Sequence, residues 1–288
     1  MVTLGTVCIG KDFSVKIMGI INLSPESFYK PSVFTTPKEI SNAAKDLERN
    51  GANIIDLGGM STAPYLETII PVEKERKRIK EAISLVKNSC SLPISVDTPR
   101  STVAKQAIDS GADAINDITG LKYDKNMANI VSESNLPIII GACHNGSNNV
   151  LSPTSGNISD RINALEESLI IAKKAKIAEN NIIVDPSIGF FRYEGDNPFF
   201  SRIKKFPWYA LDIETIAKLA KLRTLSKPIC VSVSRKSFIG NLLNLKTEER
   251  LIPSLVAELT CINNGANIVR THDVKEISQA VIMSELFR

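Results

Sequence analysis

Histidine is nearly absent from this chain. His144 and His272 are the only two in 288 residues, and neither has a second ligand at metal-binding spacing, so no zinc centre is expected. Cysteine is sparse as well: Cys8, Cys90, Cys143, Cys230 and Cys261 are scattered, odd in number and contain no CxxC pair. That excludes a disulfide scaffold and leaves buried free thiols, which suits a reducing interior. A strong charge of one sign is missing too. The 35 basic and 31 acidic residues leave a net +4, too small and too dispersed an excess to suggest a nucleic-acid partner. The densest cluster, Glu73 to Lys80, mixes both signs and reads as a solvated helix face. No run of 18 apolar residues and no signal-peptide pattern occurs, so the expectation is a cytoplasmic enzyme without a membrane partner. No linker, charge block or low-complexity stretch divides the chain, which is read as one domain over residues 1–288.

The positive signal is a repeat. Eight short apolar runs recur: Ile17–Ile21, Asn53–Leu57, Pro93–Val96, Ala114–Ile118, Leu136–Gly141, Ile182–Val184, Ile229–Val233 and Asn267–Val269. They are rich in Ile and Val and apolar at consecutive positions, as strands covered on both faces must be. Segments of helical periodicity lie between them. Thr36-Pro37 opens one as N-cap and first residue, Pro71 opens another, and Thr98-Pro99 is expected to open a third. Gly51, Gly111 and Gly265 each follow a helix and lead into a strand, the place for a left-handed glycine terminator. No GxGxxG follows the first run, which weakens the dinucleotide-fold alternative. Eight alternating β and α elements predict a (β/α)₈ TIM barrel. Val2 to Val15 reads as a short N-terminal β-hairpin, turning near Gly10-Lys11 and capping the barrel's N-terminal end. Two longer segments follow strands and should lie on the active-site face: a polar loop at Asn145–Ser159 and an aromatic, basic insertion at Phe190–Tyr209.

Polar residues gather where these runs stop. Asn22, Asp97, Asn116 with Asp117, Asp185, and Arg270-Thr271-His272-Asp273 each end an apolar run, and Ser234-Arg235-Lys236 follows VSV. At the C-terminal mouth of a parallel barrel these side chains would converge. Only one of Asn116 and Asp117 can point inward, and Asn116 is favoured. Arg270 and His272 share parity and can face one side. His144 stays open as a site member. Two carboxylates, two amides, two cations and a histidine suit a polar heterocycle that carries an anionic group. Gly58-Gly59 and the Ser61-Thr62 hydroxyls at the end of the second run offer a turn that an anion can approach.

Seven segments, MGIINLSPESF, GANIIDLGGMST, ISVDT, GADAINDITG, VDPSIGF, SRKSFIG and IVRTHDV, together resemble dihydropteroate synthase in order and spacing, from about Lys16 to Val274. The resemblance implies a transferase on a (β/α)₈ barrel. It would join 6-hydroxymethyl-7,8-dihydropterin diphosphate to p-aminobenzoate or a related aryl amine, release diphosphate and require Mg²⁺. It also implies roles. Asp97, Asn116 and Asp185 would bind the pterin edge, and Lys236 would reach the pterin carbonyl. Arg270 would stack on the pterin and, with Asn22 and His272, hold the diphosphate; Asn22 would also ligate Mg²⁺. Thr62, Phe190 and Ser237 would meet the amine, with Asp97, Lys236 and Arg270 as the catalytic group. Relatives of this kind are dimeric, and the apolar excess on Ile252–Ile262 and Ile277–Leu286 agrees with a homodimer. The alternatives are a methyltransferase using methyl-tetrahydropterin and a pterin-binding homologue without turnover.

The chain departs from the family pattern at the amine and diphosphate end. Ala63-Pro64-Tyr65 stands where Arg-Pro-Gly is usual, Met60 replaces a glutamate, and Phe191-Arg192 replaces Gly-Lys. The strand-five end reads Gly141-Ala142-Cys143-His144 in place of a methionine-rich segment. From these departures the expected amine carries an added polar or anionic substituent. Arg192 and Arg202 to Lys205 would supply charge, and Phe199, Phe200, Phe206, Trp208 and Tyr209 would supply cover.

Overall fold

A computed structural model gives the fold of residues 1–27, 29–144 and 157–287. Two short strands come first, β1 (Val2–Leu4) and β2 (Val7–Ile9), paired antiparallel with Val2 opposite Ile9. Eight parallel strands follow along the chain: β3 (Lys16–Asn22), β4 (Ile54–Gly58), β5 (Ile94–Asp97), β6 (Ala114–Asp117), β7 (Ile138–Gly141), β8 (Ile182–Asp185), β11 (Cys230–Val231) and β12 (Ile268–Thr271). Their order in the sheet is β11-β12-β3-β4-β5-β6-β7-β8. A parallel bridge between Val184 and Ile229 joins the two ends, so the sheet is the TIM barrel that the repeat predicts. Between β8 and β11 lies a small parallel pair, β9 (Phe191–Arg192) with β10 (Ser201–Arg202).

The strands are apolar at consecutive positions because each face meets a different core. Outward residues such as Ile21, Ile55, Leu57, Val96, Ile115, Ile140 and Val184 pack under the helices. Inward residues Met18, Ile54, Ala114, Ile139, Ile183, Cys230 and Ile268 form a layer near the strand starts, with Val2, Leu4 and Ile9 of the hairpin against them. The hairpin thus plugs the N-terminal end, as expected, but it turns at Gly5-Thr6 and not at Gly10-Lys11. Gly5 takes φ +54° there, which a two-residue hairpin turn favours. The Gly10 carbonyl instead accepts from the Phe13 amide in a later bend.

The helices α1 (Pro37–Arg49), α2 (Val72–Lys87), α3 (Ser101–Asp109), α4 (Met127–Ser134), α5 (Ile158–Lys174), α6 (Trp208–Ala217), α7 (Ser237–Leu243), α8 (Leu251–Asn263) and α9 (Val274–Leu286) ring the barrel. Thr36 and Glu39 close a reciprocal capping box on α1, with Pro37 inside it. Gly51, Gly111 and Gly265 end their helices at φ +95°, +91° and +105°, the left-handed terminators that their positions predict. The expected start of α3 at Thr98-Pro99 is two residues early. The Thr98 hydroxyl is committed to buried Glu75 at 2.7 Å, and the Ser101 amide is capped from outside by Asp124 at 2.8 Å.

The loop expected at Asn145–Ser159 lies outside the described residues as far as position 156; Asn157 caps α5 with its side chain. The insertion at Phe190–Tyr209 folds inward. Phe191, Phe199, Phe200 and Trp208 are buried in the protein itself, so they are not an open cover for a large substrate. The insertion is also stapled to the loop after β4. Asn197 donates to the Ala63 carbonyl at 2.7 Å, and the Asp196 amide donates to the Pro64 carbonyl at 2.7 Å. No helix among the described residues is long and apolar enough to cross a membrane.

Candidate active site

The side-chain period of two builds the site. Two residues beyond the apolar inward layer, the same parity brings Ile20, Asp56, Asn116, Asp185 and Arg270 to the inside of the barrel; Asp97 and Ser232 share that level. One cleft at the C-terminal mouth is lined by Asn22, Thr62, Asp97, Asn116, Asp185, Phe190, Lys236, Ser237, Arg270 and His272. These are all ten residues named from the sequence. Met60, Ala63, Tyr65 and Arg192, four of the positions that depart from the resembled pattern, line the same cleft, whereas Phe191 and the Gly141–His144 segment do not.

Arg270 sits across the deep end. Its Nε donates to Asp56 at 2.6 Å and its Nη2 to Asp97 at 2.9 Å. Asn116 donates to the same Asp56 carboxylate at 3.3 Å. The remaining oxygens, Asp56 Oδ1 and Asp97 Oδ1, are buried and have no hydrogen-bond partner among the described residues. A buried carboxylate oxygen without a donor is costly unless a ligand supplies one, and Asp97, which lines the cleft, can take an N–H donor there. Burial pushes the Asp97 carboxyl up to about 7, against the nearby Arg270 charge that favours the anion. Arg270 is held well above its ordinary range because Asp56 and Asp97 outweigh its burial. Asp56 positions Arg270 and Asn116, which line the cleft, and the sequence analysis does not single it out. Its signal was present: an aspartate in the middle of an otherwise apolar β4.

Asp117 faces away from the cleft. Its oxygens take the Thr119 and Leu121 amides at 2.8 and 2.7 Å, so the favoured choice of Asn116 holds. Asp185 closes a turn through the Ser187 amide at 2.7 Å, and burial raises its carboxyl. That turn is pinned from behind by a fully buried pair. Arg161 meets Asp212 at 2.9 Å while donating to the Pro186 and Ser187 carbonyls, and Asp212 accepts the Gly189 amide at 2.9 Å. Nothing in the spacing of Arg161 and Asp212 announces this pair, since its members come from α5 and α6.

Of the two cations after β11, only Lys236 faces the cleft. Arg235 turns outward, bidentate on Asp273, and its guanidinium lies 4.5 Å over the Tyr29 ring. Lys236 Nζ lies 4.4 Å over the Phe190 ring. Burial, and then the Arg270 charge, pull its ammonium down to about 8. His272 holds Ser234 Oγ at 3.0 Å through Nδ1, and burial beside three cations keeps its imidazole neutral. It can offer a hydrogen bond but not a charge. His144 is not among the cleft-lining residues; its ring meets Phe191 edge-on at 6.0 Å.

The donor set for a metal is thin. Among the described residues no three His, Cys, Asp or Glu side chains are grouped to hold an ion. Asn22 has a fixed orientation. Ser32 Oγ gives its proton to the Tyr29 carbonyl at 2.8 Å and accepts the Asn22 amide at 2.7 Å. This assigns the amide, so Asn22 Oδ1 is an acceptor. The residues present therefore fit a cation that takes one neutral oxygen from the protein and the rest from its ligand.

Residues 18–272 match the family described as pterin binding enzyme. The dihydropteroate synthase of Clostridium beijerinckii is 36% identical over 271 residues, covering 94% of this chain and 93% of that protein. Among solved structures, a dihydropteroate synthase from Clostridium difficile in the presence of pteroic acid is similar with a TM-score of 0.79 at 30% identity, over 95% of this chain and 97% of that one. The Xanthomonas albilineans dihydropteroate synthase with 4-aminobenzoic acid is similar with a TM-score of 0.79 at 27% identity, over 95% and 93% of the two chains.

Proposed function

This chain belongs to the pterin binding enzyme family, and from that membership we propose that it condenses 6-hydroxymethyl-7,8-dihydropterin diphosphate with p-aminobenzoate or a related aryl amine, releasing diphosphate. The activity is that of a dihydropteroate synthase, a transferase. The observation that carries this reading is the buried Asp97 Oδ1, unpartnered among the described residues, in the cleft beside Asn116 and Asp185, with Asp56 held by Arg270 and Asn116. Such a set accepts the N–H groups of a pterin edge. Lys236, charged below about pH 8, donates to the ring carbonyl.

The reaction breaks the bond between the pterin methylene carbon and the diphosphate oxygen, and the electron pair leaves with the diphosphate. The methylene cation that results is delocalised into the ring. Asp97 faces it as an anion, and a charge aimed at developing charge in a dry site lowers the barrier. The amine nitrogen then forms the C–N bond and gives up its proton. No protein nucleophile is required. Arg270, His272 and Asn22 receive the diphosphate, and Thr62, Phe190 and Ser237 receive the amine. Arg270 holds Asp56 through Nε and Asp97 through Nη2, which leaves Nη1 to donate to the diphosphate. Asn22 Oδ1 would be the protein oxygen that holds a Mg²⁺ ion brought in with the diphosphate, and that ion would supply charge neutralisation to the leaving group.

Five unpaired cysteines support a cytoplasmic setting. The exposed Ile252, Val256, Ile282, Met283, Leu286 and Phe287 on and just after α8 and α9 support a homodimer; a light-scattering mass of one chain at micromolar concentration would refute it. The activity itself is tested by coupled diphosphate release from the pterin diphosphate. Release that depends on both amine and Mg²⁺ is expected. Tight pterin binding without release would leave a binding protein, and methyl transfer from a methyl-tetrahydropterin would make it a methyltransferase. Tight Mg²⁺ binding to the ligand-free enzyme by calorimetry would overturn the role of the diphosphate as main ligand.

A further inference from the structure

Arg192 is a buried cation without a counter-ion. It is 8% exposed and lines the cleft at the end of β9. Its guanidinium lies 3.5 Å over the Trp208 ring and 5.2 Å from the Tyr65 ring. Nε donates to the Gly189 carbonyl at 3.1 Å, and Nη2 donates to Ser237 Oγ. It forms no ion pair among the described residues. The carboxylate with most influence on it, Asp212, is already taken by Arg161 at 2.9 Å. Burial pulls the Arg192 guanidinium down from its ordinary range, the sign of a charge that lacks compensation. A buried charge normally has a partner, and this one lines the cleft.

The surroundings fix this cation in place. The Tyr65 ring on one side belongs to the loop after β4, which Asn197 and Asp196 staple to the insertion. Trp208 opens α6 on the other side. The guanidinium cannot swing out without breaking both stacks, so it presents its charge beside Ser237 at the rim. Arg192 therefore sets a cation beside the Ala63-Pro64-Tyr65 loop, which carries none of its own. By contrast Lys204 and Lys205 are exposed, and neither they nor half-buried Arg202 is among the cleft-lining residues, so among the basic residues of the insertion the cleft is lined by Arg192.

We propose that Arg192, with Ser237 beside it, is the carboxylate anchor of the aryl amine subsite and makes this enzyme select amines that carry an anionic group opposite the amino nitrogen. This rests on the synthase reading above. An aryl carboxylate placed there gains a charge-assisted hydrogen bond from a guanidinium that is already oriented. A neutral amide of the same shape gains much less. Losing such a contact is worth about tenfold to a hundredfold in binding.

The test compares 4-aminobenzoate with 4-aminobenzamide in the diphosphate-release assay, for the wild type, Arg192→Gln and Arg192→Lys. Arg192→Gln should raise the KM for 4-aminobenzoate about tenfold to a hundredfold and collapse its preference over the amide, and Arg192→Lys should restore part of it. Affinity for the pterin diphosphate, measured by calorimetry without amine, should stay within about twofold. Three results overturn the proposal: an unchanged acid-to-amide ratio, equal losses for both amines, or a matching loss of pterin diphosphate affinity, which would assign Arg192 to the diphosphate. Thermal melts of the variants check that they keep their fold. A wild type that releases diphosphate with neither amine refutes the synthase reading instead. In that case 4-aminobenzoate binding in the presence of diphosphate still decides the anchor: loss in Arg192→Gln supports it, and equal binding refutes it.

Discussion

Replacing Asp97 by asparagine separates chemistry from fold at this site. The carboxylate accepts from Arg270 at 2.9 Å through Oδ2 and leaves Oδ1 buried without a partner. The amide keeps the shape and one acceptor but removes the charge that faces the methylene cation. One aimed charge in a dry site is worth on the order of 3 kcal/mol of barrier, or roughly a hundredfold in kcat. Stability should move the other way. Burial raises the Asp97 carboxyl to about 7 from the ordinary 3.8, so the folded state holds this proton more tightly than the unfolded chain. The stability from that group is fully present below the unfolded value and is lost as pH rises through about 7. The variant has no such group. Arg270 keeps its 2.6 Å contact with Asp56, so Asp97→Asn should melt within a few degrees of the wild type at pH 8, and the wild type should gain on it toward pH 5. The assays are diphosphate release at saturating substrates and thermal melts of both proteins from pH 5 to 8. Wild-type turnover in the variant would remove Asp97 from the chemistry. A loss of turnover together with a fall in Tm of more than about 10 °C, several kcal/mol at roughly 2–4 °C each, would make its role structural.

The pH profile of kcat/KM should be a narrow bell. Asp97 must be ionised and Lys236 protonated in the free enzyme, with values of about 7 and about 8, and a flat profile from pH 6 to 9 would contradict both roles. Arg161→Met leaves Asp212 buried without its cation and should cost about 3–5 kcal/mol by urea denaturation. The double variant Arg161→Met with Asp212→Leu should recover most of that, and no recovery would mean that the carbonyl contacts of Arg161 carry the effect. Gly141→Ala places a Cβ 2.2 Å from the Ile118 carbonyl. It should lower stability by at least the roughly 1–3 kcal/mol typical of overpacking, and a wild-type urea midpoint would show that the β6–β7 contact can yield.

The barrel was legible because two independent periodicities agree. Runs apolar at consecutive positions, separated by helical segments that end in left-handed glycines, leave little besides a parallel sheet covered on both faces. The places where local reading failed are those where a distant side chain intervenes. Thr98 looks like an N-cap in sequence, but Glu75 from α2 takes its hydroxyl, and α3 begins at Ser101. Gly10 looks like the hairpin turn, but the register of Val2 on Ile9 puts the turn at Gly5.

By itself the sequence determined the strand ends and, through their parity, which side chains share the mouth of the barrel. That follows from a side-chain alternation set by local covalent geometry. Only the tertiary structure decided how those side chains divide the work, because pairing depends on distances between elements far apart in the chain. It sends Arg235 outward to Asp273 and Arg270 inward to Asp56 and Asp97. It buries Phe191, Phe199, Phe200 and Trp208 of the insertion and leaves Arg192, stacked on Trp208, as a cleft-lining cation with no ion pair among the described residues.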